Sequence, residues 1–149
     1  MLEYNFKESL GKLSQEVSKG MGQLIEKNFN KNNINVSSRE WVVLTYIANK
    51  PKVSQSDLVI PLGKDKVAVK RLIDSMEAKK WVKRQSTPDD KRFNIIILTK
   101  EGLNIYKKIK PIVEESMQHA LAEIPKESLQ ICMEVLNKVD TNIKTHLLS

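Results

Sequence analysis

The two ends of the chain share one pattern of apolar positions. From Leu2 to Phe29 the apolar residues recur at steps of three and four, which predicts one long amphipathic helix. The same spacing after Thr99 predicts two further long helices, and Pro125 separates them because proline interrupts helical hydrogen bonding. Pro111 lies inside the first of these two helices, where we expect it to produce a kink.

The middle of the chain has shorter helical patterns, each with its own start signal. Residues 37–40 and 54–57 are Ser-x-x-acid segments, in which the hydroxyl and the carboxylate can satisfy unpaired backbone amides, so each predicts a helix N-terminus. Asp65 is expected to cap a third helix that runs to about Lys79. Gly63 turns the chain before this helix. Two helices joined by such a turn are typical of a helix-turn-helix.

The period changes after the third short helix. Residues 81–86 and 93–98 are strand-like, and the second segment is rich in β-branched side chains. Residues 87–92, between them, combine a proline with four charged residues and are typical of a turn. We therefore predict a two-stranded hairpin with a charged tip.

These elements together predict a mainly α fold with one small β-hairpin. A hairpin directly after a helix-turn-helix makes a winged helix, so residues 37–99 are predicted to form a winged-helix unit within one chain, residues 1–149. The helices at residues 1–30 and 100–149 are too long to bury their apolar stripes against that unit alone. We expect a second copy of the chain to cover them, which makes them dimerisation helices.

The composition is that of a globular protein. Apolar residues make up 40% and charged residues 29% of the 149 residues. No apolar run approaches the roughly 20 residues that a membrane span needs, and the first residues lack the pattern of a secretory signal. We expect a cytoplasmic protein that makes no membrane contact.

Chemically reactive residues are few. Cys132 and two histidines cannot fill a four-ligand zinc site, and no Ser/His/Asp grouping or glycine-rich phosphate loop is present. His119 and Glu123 lie four residues apart on a predicted helix, but a metal site there would need more ligands. Cys132 lies among apolar residues and is expected to be a buried structural cysteine rather than a redox sensor. The sequence predicts no enzyme, no metal and no cofactor.

Positive charge is concentrated in one part of the chain. Lys and Arg number 25 against 18 Asp and Glu, which gives a net charge of +7. Residues 64–92 contain ten basic and five acidic residues and so carry +5 of this excess. A local basic concentration on a near-neutral protein indicates a polyanionic partner, most often nucleic acid. The charge alone is equally compatible with a solvated, lysine-rich face.

Short motifs in and around this basic region recur in a known family. Each is weak alone, but their order and spacing are specific, above all Asp90-x-Arg92 followed by Leu98-Thr-x-x-Gly102. On these residues the chain resembles the MarR family of bacterial transcription regulators, over nearly its whole length. The other matching segments are Trp41-Val-Val-Leu44, Ser54-Gln-Ser-Asp-Leu58, Leu62-Gly-Lys-Asp-Lys66, Val69-Lys-Arg-Leu-Ile-Asp74, Met76-Glu77 and Trp81-Val-Lys-Arg84.

The resemblance implies a function and a mechanism. Proteins of this kind are obligate homodimers that bind pseudo-palindromic operators in double-stranded DNA, usually as repressors. Many of them release DNA when a small molecule or an oxidant binds. The third short helix would be the recognition helix in the major groove, and the hairpin would be the wing.

The resemblance also assigns roles to single residues. Arg92 would enter the minor groove, and Asp90 would orient its guanidinium. Lys83 and Arg84 would attract DNA phosphates. The expected DNA-binding residues are Ser54, Gln55, Lys64, Lys66, Val67, Lys70, Arg71, Lys91 and Arg92.

Two positions depart from the family pattern. Val67 and Ala68 stand where hydroxyl residues are common, and they can pack on thymine methyls but cannot hydrogen-bond base edges. Lys80 stands where glycine is usual before the wing, so a positive φ there would be mildly strained.

The sequence leaves the regulatory site and two alternative functions open. Met21, Phe29, Trp41 and Tyr46 are candidates for a pocket that takes a small apolar or phenolic effector, although residues at this spacing are also typical of plain core. A winged helix used for protein contacts, without specific DNA binding, is the first alternative function. A small enzyme or ligand carrier on a helical scaffold is the second.

Overall fold

The computed structural model describes residues 5, 9–86, 88 and 94–148, and its elements follow the predicted order. The described residues form two units, one up to Met117 and one from Gln118 onward. The elements are α1 (Leu10–Lys31), α2 (Ser38–Ala48), a 3₁₀ turn (Ser56–Leu58), α3 (Val59–Leu62), α4 (Lys66–Ala78), β1 (Val82–Ser86), β2 (Asn94–Leu98), α5 (Lys100–Ala120) and α6 (Lys126–Leu148). A mainly α fold with one small hairpin is therefore confirmed.

The first helix begins at Leu10, so the prediction of a helix from Leu2 was wrong. Ser9 has an extended backbone, and its hydroxyl accepts a hydrogen bond of 3.3 Å from the backbone N–H of Lys12. A serine hydroxyl in this position satisfies an N–H group that the first helical turn leaves unpaired. The apolar period alone could not place this boundary, because the period continues across it.

The predicted caps at the starts of α2 and α4 are confirmed. Glu40 Oε2 accepts from the Ser37 backbone N–H at 2.9 Å, and Ser37 Oγ accepts from the Glu40 N–H at 3.2 Å, which completes a capping box. Asp65 Oδ1 accepts from the Ala68 N–H at 2.8 Å and caps α4. Two of the three short helices in the predicted winged-helix unit thus begin at a capping side chain that the sequence indicates.

A carboxylate on α1 holds the start of α2. Glu26 Oε1 accepts hydrogen bonds from both the backbone N–H and the hydroxyl of Ser38, each at 2.8 Å. These bonds, the backbone bond first, hold the pKa of Glu26 below its ordinary value. The negative charge also lies at the N-terminus of α2, where the helix dipole favours it.

The core of the first unit draws on almost every element in it. Successive turns of α1 contribute Ile25 and Phe29, and the buried face of α5 contributes Ile109 and Val113. Both long helices therefore pack into the same core as the predicted winged-helix unit. The remaining buried apolar residues are Ile34, Val36, Val43, Leu44, Ile47, Val53, Leu58, Val69, Ile73, Met76, Val82 and Ile96.

The hairpin is antiparallel and is attached to the segment before the 3₁₀ turn. Its register runs from Val82 opposite Leu98 to Ser86 opposite Asn94. The Ile96 N–H donates to the Val53 carbonyl at 2.7 Å, so the segment before the 3₁₀ turn is hydrogen-bonded to β2 of the hairpin. The predicted charged tip lies outside the described residues, apart from Pro88.

The hairpin and α5 meet through a close backbone approach at Gly102. A Cβ placed on Gly102 would lie 1.8 Å from the carbonyl oxygen of Trp81. The Thr99 hydroxyl donates to the Lys80 carbonyl and accepts from the Gly102 N–H at 3.0 Å. In the Leu-Thr-x-x-Gly motif, Thr99 therefore caps α5, and Gly102 allows α5 to contact the backbone just before β1. Further along, α5 continues through Pro111.

The second unit consists of the end of α5, a turn and α6. None of the described residues of α6 is buried, and its exposed apolar residues include Ile131, Val135, Ile143 and Leu147. Cys132 is also exposed, so the prediction of a buried structural cysteine was wrong. The described helices include none that is both long and apolar enough to cross a bilayer.

We predict that Gly102→Ala destabilises the protein by about 1–3 kcal/mol, because the added methyl forces the backbones of α5 and Trp81 apart. Thermal or urea unfolding measures this change. Gly20→Ala is the matched control, since a Cβ at Gly20 in α1 meets nothing within 4 Å and alanine favours helix by about 1 kcal/mol. An equal effect of the two substitutions would contradict the role of Gly102.

Candidate nucleic-acid interface

Helix α4 is strictly two-sided. Val69, Ile73 and Met76 are fully buried, because they recur at steps of three and four and face the core. On the other side, Lys66, Lys70 and Arg71 are exposed, as predicted for residues that contact DNA. Val67, an apolar residue among these cations, is 60% exposed. This exposed side (Lys66, Val67, Lys70 and Arg71) is called the α4 face below.

The turn before α4 has the backbone that a helix-turn-helix needs. Gly63 ends α3 in the left-handed conformation, with φ of 57°, and only glycine adopts this readily. Lys64 follows it and is exposed. Ile60, on the short helix before the turn, is 78% exposed. The sequence carries no signal for this exposure, because an apolar residue in a helical run ordinarily lies in the core.

The predicted reciprocal hydrogen bonding between Ser54 and Asp57 is confirmed. The Ser54 N–H and hydroxyl both donate to Asp57 Oδ2, at 2.7 and 2.8 Å, and the Asp57 N–H donates to Ser54 Oγ at 3.3 Å. The bonds from Ser54, the backbone bond first, lower the pKa of Asp57 below its ordinary value. The donors of Ser54 are thus already used, and a phosphate at this helix start would also meet the Asp57 carboxylate. A phosphate contact by Ser54 stays a prediction.

Arg84 lies behind the α4 face and is engaged by three side chains. Its guanidinium contacts Asp74 Oδ1 at 2.7 Å, Glu77 Oε2 at 2.6 Å and Gln55 Oε1 at 3.0 Å. The Arg84 backbone N–H also donates to Glu77 Oε1 at 3.2 Å. The side chain is 23% exposed, and its charge faces two carboxylates, which reduces what it can offer a phosphate. Attraction of phosphates by Arg84 stays a prediction.

Gln55 therefore has a structural partner that its sequence context did not indicate. It was expected to contact DNA, yet its side-chain oxygen accepts a hydrogen bond from Arg84, 29 residues away. No local signal could have found this contact, since neither the helix period nor the capping pattern relates the two positions. Its amide nitrogen keeps a donor for other partners, and DNA contact by Gln55 stays a prediction.

Lys70 on the α4 face is also paired. Its Nζ lies 2.7 Å from Asp74 Oδ2, one helical turn further on. The hydrogen bond from Lys70, followed by that from Arg84, holds the pKa of Asp74 below its ordinary value. Asp74 therefore stays ionised at neutral pH and faces two cations at once.

The end of α4 is held by a second ion pair. Lys79 Nζ lies 2.6 Å from Glu40 Oε1 and 4.5 Å from the centroid of the Trp81 ring. The Glu40 side chain is nearly buried, so this pair links the start of α2 to the chain between α4 and β1. The next residue, Lys80, has φ of 61°, so the mild strain expected for a lysine with positive φ applies here.

The wing is described only in part. Lys83 on β1 is exposed, in agreement with a role in attracting phosphates. Asp90, Lys91 and Arg92 lie outside the described residues, and their expected roles at the tip stay predictions.

A small surface pocket lies along α2. Its volume is about 290 Å³, and its walls are mostly apolar. Trp41 stacks on Tyr106 of α5 with ring centroids 5.6 Å apart, and the Lys50 Nζ donates to the Tyr46 hydroxyl at 2.5 Å. Thr45 Oγ1 is buried with no hydrogen-bond partner among the described residues. The lining residues are Trp41, Val42, Thr45, Tyr46, Asn49 and Lys50.

The four residues proposed for an effector pocket are not all brought together here. Trp41 and Tyr46 line the pocket. Phe29 is fully buried in the core, and Met21 is half-buried on α1. Thr45 and Lys50 were missed, because a threonine inside a helix and a lysine at its end carry no sequence signal for a ligand. Among the described residues no group of three or more His, Cys, Asp or Glu side chains could hold a metal ion.

Comparison with known proteins identifies the family. The sequence profile of the MarR family matches residues 34–92, a segment that includes α2, α3, α4 and β1. A relative from Bacillus subtilis, the uncharacterized HTH-type transcriptional regulator YdgJ, is 30% identical over 108 residues. The chain belongs to the MarR family. The match covers 72% of this chain and 66% of YdgJ's own length.

Solved structures share the whole fold of this MarR-family chain. A mutant of MarR from E. coli, complexed with operator DNA, is 23% identical, with a TM-score of 0.78 over 93% of this chain and 99% of that one. BpsR from Bordetella bronchiseptica, whose DNA binding is regulated by 6-hydroxynicotinic acid, is 19% identical, with a TM-score of 0.79 over 93% and 98%. At these identities the likeness shows the fold: a winged helix flanked by long helices.

Proposed function

We propose that this MarR-family regulator binds a pseudo-palindromic operator as a homodimer and represses transcription from it, in the bacterial cytoplasm. The observation that carries the proposal is the α4 face, a row of three exposed cations on a helix whose other side is fully buried. A helix of this form, directly after a glycine turn and before a hairpin, fits the major groove. The operator complex of E. coli MarR, which has the same fold, supports this reading.

The α4 face combines two kinds of contact. Lys66, Lys70 and Arg71 can donate to guanine edges or to phosphates, and each good base contact adds about 1–3 kcal/mol of discrimination. Val67, which is 60% exposed, offers an apolar surface suited to a thymine methyl. The exposed Val67 and Ile60 also favour the alternative, a winged helix that binds another protein. Sequence-indifferent DNA binding would support that alternative.

We predict that the protein prefers DNA from upstream of its own gene over unrelated DNA by about a thousandfold or more. Fluorescence anisotropy with competitor DNA across a salt series measures this preference. In a Lys66→Ala, Arg71→Ala double variant, operator affinity should fall about tenfold or more per lost base contact. Arg92→Ala should weaken binding most at A·T-rich flanks.

The control for charge removes two lysines elsewhere. Lys107→Ala, Lys108→Ala takes the same charge from the exposed side of α5 and should leave the operator preference within about threefold of wild type. Equal losses in the two double variants would mean that the α4 face attracts DNA only as part of the general charge. Genome-wide selection of bound fragments locates the operator if the upstream region holds none.

The homodimer is supported by apolar surface that one copy leaves uncovered. On α6, Ile131 is 61% and Val135 is 50% exposed, and on α1 Leu13 and Val17 are 47% and 54% exposed. Single exposed apolar residues are common, but rows of them along long helices mark an interface. The proposed occupant is a second copy of the chain.

We predict that Val135→Lys weakens self-association at least about tenfold, because it places a charge in an apolar interface in both copies. Sedimentation equilibrium should find wild type at twice the 17.1 kDa chain mass. Asn137→Lys adds the same charge at an exposed polar position and should stay dimeric. A monomeric wild type, or an unchanged Val135→Lys variant, would exclude this interface.

The pocket on α2 supports regulation by a small aromatic effector, apolar or phenolic. Trp41 and Tyr46 provide ring surfaces, and Lys50 stands at the edge with its Nζ 4.1 Å from the Tyr46 ring centroid. Such a site would hold a ring by stacking and would favour an acidic substituent near Lys50. The regulation of BpsR by 6-hydroxynicotinic acid is a precedent on the same fold.

We predict that phenol, benzoate or 6-hydroxynicotinic acid changes the fluorescence of Trp41 and releases operator DNA over the same concentration range. A Trp81→Phe background isolates the Trp41 signal, since the chain has two tryptophans. Lys50→Ala should weaken benzoate several-fold and leave phenol unchanged, because only benzoate carries a charge for the ammonium group. Fluorescence changes without DNA release would separate ligand binding from regulation.

A further inference from the structure

Asp74 links the α4 face to Arg84, whose guanidinium also contacts Glu77 and Gln55. The contacts of Arg84 with these side chains are called the brace around Arg84 below. One carboxylate oxygen, Oδ2, lies 2.7 Å from Lys70 Nζ, and the other, Oδ1, lies 2.7 Å from Arg84 Nη2. Each oxygen therefore serves one cation. The carboxylate is the point at which a residue expected to touch DNA meets a residue that is held inside the protein.

The two cations are held very differently. Arg84 is 23% exposed and has Glu77 and Gln55 as further partners, so it stays in place without Asp74. Lys70 is 63% exposed, lies on a flexible four-carbon stem and makes its ion pair with Asp74. An exposed pair of this kind is weak enough to exchange one partner for another. Lys70 can leave Asp74 without disturbing the brace around Arg84.

We propose that Asp74 is a specificity-determining residue that restrains Lys70 in the free protein and releases it only to a matching DNA site. This assignment rests on the proposed function. A lysine engaged by a carboxylate adds little to the general attraction for phosphates, which dominates non-specific binding. A site that offers Lys70 a well-placed acceptor competes with Asp74, and a random site does not. The ratio of specific to non-specific affinity rises because complexes with random DNA lose more binding free energy than the complex with the matching site.

The negative charge of Asp74 also has a direct effect on DNA. It is 44% exposed on the same helix as three DNA-facing cations, so it lowers the positive potential of the α4 face. A generic charge effect of this sort would be the same for any acidic residue on α4. Glu77 is such a residue, since it also contacts Arg84 but makes no contact with Lys70 in the structure. The pair Asp74 and Glu77 therefore separates restraint of Lys70 from loss of one negative charge.

The test is Asp74→Asn, which keeps the shape and an oxygen that can accept from Arg84. We expect affinity for unrelated DNA to rise about three- to tenfold near 0.1 M salt, with a salt dependence steeper by about 0.9 per protomer for one more phosphate contact. Operator affinity should rise less, so the specific-to-non-specific ratio should fall. Thermal unfolding checks that the brace around Arg84 survives.

A double-mutant cycle decides whether Lys70 carries the effect. In a Lys70→Ala background, Asp74→Asn should keep only the general charge effect, of the size that Glu77→Gln shows, and should lose the additional rise in affinity for unrelated DNA. Glu77→Gln, with Lys70 present, should change this affinity far less than Asp74→Asn does. If Asp74→Asn acts equally with and without Lys70, or if Glu77→Gln matches it, the effect is one of general charge and the assignment is overturned.

The failures of the two proposals differ. A wild-type protein that prefers its operator, together with an unchanged ratio in Asp74→Asn, overturns the role of Asp74 and leaves the proposed function standing. A wild-type protein with no preference for any site overturns the proposed function and the specificity role with it.

Discussion

One guanidinium ties together α4, the hairpin and the segment before α3. Arg84 projects from β1 of the hairpin and contacts Asp74 and Glu77 of α4 and Gln55 at the start of the helix-turn-helix. Charge-assisted bonds from a planar, five-donor group fix both distance and angle, which a lysine at this position would not do. The orientation of the recognition helix relative to the base of the hairpin depends on this group. Because its charge faces the carboxylates of Asp74 and Glu77, Arg84 adds less to the positive potential of the surface than an unpaired arginine would.

Most of the fold was predictable because its signals are local. Capping side chains lie three residues from the groups they bond, and the apolar period selects one face, so the starts of α2 and α4 and the buried side of α4 followed from the sequence. The place of Lys80 in the family pattern marked it as a position where a positive φ would cause strain, and its φ is 61°. The start of α1 did not follow from the sequence, since Ser9 interrupts an apolar period that continues on both sides.

The candidate site was predictable in its outline and not in its chemistry. Exposure of the cations on α4 follows from the same period that buries Val69 and Ile73. The pairing of Arg84 with Gln55 and of Lys79 with Glu40 joins positions 29 and 39 residues apart, and only the folded chain brings them together. Cys132 shows the opposite error: apolar neighbours indicate burial only if the helix packs on its own chain, and α6 leaves that face open.

The contact at Gly102 is one of two attachments that lie close together on α5. Its first turn is pressed against the Trp81 carbonyl at the base of the hairpin, and one turn further along Tyr106 stacks on Trp41 at the wall of the α2 pocket. The two contacts are on one rigid helical segment about 6 Å apart along its axis. The base of the hairpin and the wall of the pocket are therefore attached to the same short stretch of α5. Because the approach at residue 102 leaves no room for a side chain, glycine is what allows the first of these attachments.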